Sequence, residues 1–158
     1  MRVRPAAALA LILAAAAGCS KAPPPAPAQA HRHEHHPPHG GTPVVLGDEA
    51  YHVELVLDAQ EGVLQAYVLD GEMENFVRCA APSVAIDATI GGRPESVVLE
   101  AVANPATGET VGDTALFQGR AGWLRGAKDF DGAVRSVTVR GTTFAGVKFN
   151  YPRGNDAD

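Results

Sequence analysis

Cysteine is nearly missing from this chain. Its 158 residues hold two, Cys19 and Cys79, so a disulfide framework of the kind that staples small secreted domains is excluded. Basic residues are outnumbered, 13 Lys and Arg against 18 Asp and Glu. From residue 44 onward the imbalance grows to nine against seventeen. A nucleic-acid binder, which needs a basic stripe, is therefore not expected. An acidic domain attracts cations at long range and also keeps itself soluble. Catalytic signatures are missing too: there is no Gly-x-Ser-x-Gly elbow, His-Glu-x-x-His pair, phosphate loop or dinucleotide fingerprint. A hydrolytic zinc site needs three fixed ligands and an open position, yet His52 is the sole histidine beyond residue 39. No enzymatic activity is expected. The one long apolar run, Ala6 to Ala17, is shorter than the ~20 residues of a membrane span.

That run has the form of an export signal. Arg2 and Arg4 precede it, and Ala16-Ala17-Gly18-Cys19 resembles a bacterial lipobox, with Ala16 where Leu is commonest. The resemblance implies a signal peptide over 1–18, cleavage before Cys19, and lipidation of the Cys19 thiol and the new amine. The expected location is the cell envelope, as a periplasm-facing lipoprotein of the outer membrane, because Ser20 is no aspartate-type retention signal. A plain secreted protein cut near Gly18 is the alternative. With Cys19 lipidated, Cys79 is the only thiol left, and it is buried, paired between chains or used as a ligand.

Residues 19–42 form a lipid-anchored linker rich in proline and histidine. Pro23, Pro24, Pro25, Pro27, Pro37 and Pro38 favour extended polyproline-II structure, a semi-rigid tether reaching at most ~70 Å. Within it stand His31, His33, His35, His36 and His39, five of the six histidines in nine residues. Such a tract is a candidate for transition metals that accept imidazole, namely Cu, Zn or Ni. His33, His36 and His39 share one side of a polyproline-II helix but lie ~9 Å apart along it. One ion holds nitrogen at ~2.0–2.1 Å, so a shared site requires a bend, and weak or transient binding is expected. An inert spacer and a pH-sensitive tether are the other readings.

Residues 43–152 change character. Tyr51 to Asp58 alternates with period two, and Gly47-Asp48 separates it from Val44 to Leu46, which predicts a hairpin. Further strands are predicted at Val63 to Leu69, Val84 to Ile90, Val97 to Val102, Thr114 to Phe117, Val134 to Arg140 and Phe144 to Phe149. Trp123 and Leu124 sit in a helical turn that docks on the core. Seven to nine short strands without a long helix argue an all-β fold, a single antiparallel β-sandwich of immunoglobulin size or a barrel. Residues 153–158 are expected to fray.

His52 and Glu54 lie two apart on the first long strand, on its polar face, where a His-x-Glu pair can offer two ligands or be solvated. If the turn centres on Gly47-Asp48, Pro43 faces His52 and His39 is ~13 Å of strand away. A joint site then needs a bend at Gly40-Gly41. Asp70, Glu72, Met73 and Glu74 read as an acidic loop with a thioether, a solvated turn or a set of ligands in which Met suits cuprous ion and the carboxylates harder ions, and Asp129 to Gly132 as a turn lacking the later ligands of a calcium loop.

The run His39-Gly40-Gly41-Thr42-Pro43-Val44-Val45-Leu46-Gly47-Asp48 continues into His52-Val53-Glu54-Leu55-Val56-Leu57-Asp58 and Tyr67-Val68-Leu69-Asp70-Gly71. It resembles small bacterial periplasmic lipoproteins whose domain opens on His-Gly-Gly, and is similar to the N-terminal β-domain of some adaptor subunits of heavy-metal efflux pumps. The resemblance covers about residues 39–70. It implies periplasmic metal handling with His39, His52 and Glu54 at the matching positions. The helical hairpin, lipoyl-like and membrane-proximal domains of those adaptors have no counterpart here, so a stand-alone module fits the length. Two functions are expected from this: metal capture or buffering by the tether, or a structural lipoprotein whose β-domain binds an envelope partner or a metal-efflux component.

Overall fold

The structure is a computed structural model, and residues 36–155 are described in it. Cys19, His31, His33 and His35 lie outside the described residues, as do the signal peptide expected at 1–18 and most of the 19–42 linker.

Eight strands follow in order: β1 (Thr42–Leu46), β2 (Tyr51–Asp58), β3 (Val63–Asp70), β4 (Ser83–Ile90), β5 (Arg93–Ala101), β6 (Leu116–Arg120), β7 (Phe130–Val139) and β8 (Thr142–Tyr151). There is no α-helix among the described residues; a single 3-10 turn spans Gly122–Leu124. The expected all-β antiparallel architecture is present. All eight strands belong to one sheet of order β1-β2-β3-β6-β5-β4-β7-β8, which nearly closes on itself.

Alternation decides what faces inward. On β3 Leu64, Ala66 and Val68 are buried, and on β4 Val84, Ile86 and Ala88. Register lines these residues into rows, Val44–Val53–Val68 and Leu55–Ala66–Phe117, that fill the interior. Each fully buried Leu, Ile or Phe here contributes about 1.5–3 kcal/mol relative to an exposed one. The 3-10 turn plugs one end: Leu124 is fully buried, and Trp123 stands edge-on to Phe130 at 5.3 Å while its Nε1–H donates to Ser96 O at 3.1 Å.

The open seam lies between β1 and β8, and the C-terminal segment bridges it. Asn155 mimics a strand neighbour: its Oδ1 accepts from Val45 N at 2.7 Å and its Nδ2 donates to Val45 O at 3.2 Å. Thr42 Oγ1 donates to Pro152 O at 3.2 Å. Gly154, at φ +82°, runs so close to Pro43 O that a β-carbon has no room. Residues 153–155, expected to fray, are thus docked by backbone groups that β1 leaves unpaired as an edge strand; residues 156–158 lie outside the described residues.

Candidate functional site

β2 is buried on both faces. Val53 and Leu55 point into the main core, as alternation requires, but His52 and Glu54 on the opposite face are also fully buried. That face was expected to be solvated. It is covered instead by a second, smaller layer made of the lead-in segment before β1 and the loop after β3.

The lead-in turns on Gly40, at φ +66°, whose N–H donates to Pro37 O at 3.0 Å. The turn folds residues 39–41 over Glu54, whose carboxylate organises them. Glu54 Oε1 accepts from the backbone N–H of His39 at 2.8 Å and of Gly41 at 2.9 Å. Glu54 Oε2 lies 2.8 Å from His39 Nδ1. Three N–H partners satisfy a carboxylate that would otherwise be costly to bury. Gly41 is required by closeness: a β-carbon there would sit 2.6 Å from Leu55 O and 2.9 Å from Glu54 Cγ. The His-Gly-Gly motif is therefore a clasp, each residue having its own steric or bonding reason.

The His39 ring is fixed from a second direction. It stacks on Tyr67, centroids 3.9 Å apart and planes 17° from parallel, and Phe76 leans against both rings at 5.8 and 6.0 Å. Tyr67 faces Glu54 directly across β2 and β3. Burial, and then the Glu54 charge, push the Tyr67 phenol above its usual range. The His39 side chain still keeps 36% of its surface in solvent. In the neutral tautomer that donates Nδ1–H to the carboxylate, the ring's lone pair lies on Nε2.

His52 belongs to the same buried face. Its Nδ1 lies 3.3 Å from Asp70 O, and it pairs across the sheet with Leu69. Leu69, and Met73 of the loop after β3, are buried outside the main core. That loop was expected to be solvated around Met73. Asp70 shapes it by accepting from Glu74 N, Asn75 N and Asn75 Nδ2 at 3.0, 3.2 and 2.7 Å. Partial burial raises the Asp70 carboxyl, but these hydrogen bonds and the nearby His52 outweigh it and hold the group below its ordinary value.

The bend at Gly40-Gly41 brings together His39 and Glu54, while His52 remains engaged with Asp70. His36 is exposed just before the turn. No three His, Cys, Asp or Glu side chains among the described residues are grouped to hold a metal ion. Cys79 is 3% exposed, and burial pushes its thiol up to about 11, which fits the buried alternative. Asp129 to Gly132, expected as a turn, instead leads into β7 from Phe130, and Asp131 accepts from Asn150 Nδ2 at 2.9 Å. Tyr67 and Phe76 escaped the sequence reading; the signal for Tyr67 was its place opposite Glu54, visible only once the register is known. No protein-family model matches the chain, and neither the curated proteins nor the solved structures provide a match.

Proposed function

We propose that this protein is a lipid-anchored, periplasm-facing metal-binding protein that captures or buffers Cu, Zn or Ni through its histidine-rich tether. The observation that carries the reading is a continuity. Five histidines fall within residues 31–39, and the last of them is clasped to the domain by Glu54 and stacked on Tyr67. An extended tether alone spreads its imidazoles too far apart to share an ion. A tether with one end pinned by a turn has an origin about which the rest can fold, and less conformational entropy to lose on binding. The acidic domain adds a field favourable to cations. Catalysis has no part in this reading, which needs no reacting group.

Isothermal titration of the full chain with Zn2+ and with Cu2+ tests it, against a variant with the five tether histidines changed to Gln. The variant should lose most of the binding; equal affinity and stoichiometry in both would sink the reading. The other function expected, a lipoprotein that binds an envelope partner, draws support from Phe76, which is 51% exposed beside Tyr67 and His39. Exposed aromatics of this kind anchor interfaces. It predicts a co-purifying partner that survives chelator and is lost on Phe76→Ser.

A further inference from the structure

We propose that Phe76 and Val111, carried by two segments that Arg78 bolts together, form a docking surface for a protein segment with an apolar anchor flanked by Lys or Arg. This surface gives the partner-binding reading above its location and its partner chemistry, and rests on that reading alone; metal capture by the tether has no part in it.

The platform is built from two stretches locked by hydrogen bonds. Residues 76–79 alternate: Val77 and Cys79 are each 3% exposed, whereas Phe76 and Arg78 face outward. Backbone bonds tie this stretch down, with Val77 N–H donating to Val68 O and Cys79 N–H to Thr114 O, both at 2.9 Å. The Arg78 guanidinium then reaches the loop between β5 and β6. It donates to Thr107 O at 2.6 Å and to Asp113 Oδ2 at 3.0 Å. Glu109 braces that loop from within, accepting from Thr107 Oγ1 at 2.6 Å and from Ala115 N at 2.9 Å. Val111 stands in a tight turn closed on both sides: Thr110 N–H donates to Asp113 O at 3.1 Å, and Asp113 N–H to Thr110 O at 2.9 Å.

Among the described residues three large hydrophobic side chains are exposed, and two are on this platform, Phe76 at 51% and Val111 at 64%. The third, Val98, stands on β5. Single exposed apolar side chains are ordinary; two presented by one braced platform, with the His39–Tyr67 stack against Phe76, make a patch of the kind that marks an interaction site. Because the loop is already held by its own bonds, little ordering remains to oppose association. Charge then selects the occupant. Asp70, Glu72, Glu74, Glu109 and Asp113 fall within the two segments and the loop leading into them, against Arg78 alone, and Arg78 is paired with Asp113. An apolar centre with an acidic rim fits an apolar anchor among basic residues. The same charge repels nucleic acid and a second copy of this acidic chain.

The test uses the full chain in EDTA, so that metal plays no part, with a phage-displayed library of random dodecapeptides as the probe. Enriched peptides should carry an aromatic or aliphatic anchor beside Lys or Arg. Their affinity, read by fluorescence polarisation, should fall about tenfold or more in Phe76→Ser and in Val111→Ser. Val98→Ser should leave it unchanged, and added salt should weaken it. Peptides that bind Phe76→Ser and Val111→Ser as tightly as the native chain place the partner site elsewhere: the partner-binding reading survives and this surface falls. Enrichment of acidic peptides overturns the proposal. A dimer of the native chain that Phe76→Ser dissolves, followed by sedimentation, names a second copy as the occupant and overturns it as well. If no peptide is enriched, the surface and the partner-binding reading fall together.

Discussion

Glu54 and Gly41 carry more of the lead-in's structure than their neighbours do. A carboxylate buried on a strand face needs donors within reach, and only a chain that turns at Gly40 and passes flush at Gly41 supplies them. Gly41→Ala places its β-carbon 2.6 Å from Leu55 O and 2.9 Å from Val56 Cγ2, so the segment must lift and the Glu54 bonds lengthen. The expected cost is about 1–3 kcal/mol, read from the urea midpoint. Faster exchange of the His39 amide proton should accompany it, and unchanged exchange would show that the clasp tolerates the added methyl.

Among the elements, the seam between β1 and β8 is where the sheet stops short of closure. β1 is five residues long, and its outer edge would offer unpaired backbone groups to a second chain. Asn155 covers that edge at Val45 with one acceptor and one donor. Asn155→Ala removes two hydrogen bonds worth about 1 kcal/mol each. It should lower stability by about 1–2 kcal/mol and raise the tendency to associate, followed by thermal melting and by light scattering. A variant as stable and as monodisperse as the native chain would mean that solvent can replace Asn155 without loss. Gly154 belongs to the same device, since no other residue fits its close pass over Pro43 at φ +82°.

For the molecule as a whole, stability should form a plateau bounded by two sets of groups. Asp70 and Glu109 are held below their ordinary values of 3.8 and 4.5. For Glu109, partial burial is outweighed by bonds from Thr107, Ala115 N and Thr114, with Arg78 adding its charge. Groups of depressed pKa stabilise the fold above their unfolded values, and that contribution is lost as pH falls through the folded ones. The acid limb should therefore begin below about pH 4.5. Cys79, raised from 9.0 to about 11 by burial, works in the opposite sense, as do Tyr67 and Tyr151, both raised from 10.0. Their stabilisation is complete below the unfolded values and is lost as pH climbs through the folded ones. Melting temperature against pH checks both limbs: Glu109→Gln should flatten the first, and Cys79→Ala should delay the second. A native-like acid limb in Glu109→Gln would remove that loop from the account.

Period-two alternation in Tyr51 to Asp58 and Val84 to Ile90, with the apolar run Val63 to Leu69 between turn signals, was enough to determine the all-β class and to locate most strands, because a half-buried strand must write its burial into every second residue; β6 lies at Leu116–Arg120 rather than at Thr114 to Phe117. The sequence by itself also determined that His39 meets the β2 face only by bending at Gly40-Gly41. Tertiary structure alone decided the rest. Four residues rather than two connect β1 to β2, so Pro43 pairs with Glu54 and not with His52. A polar face also says which side of the sheet is away from the core, not whether something lies over it. Whether His52 and Glu54 were solvated depended on a lead-in and a loop distant along the chain, and on the hydrogen bonds those segments brought. Their arrival, by satisfying a buried carboxylate, is what closes the polar face of β2 over Glu54 and ties His39 to it.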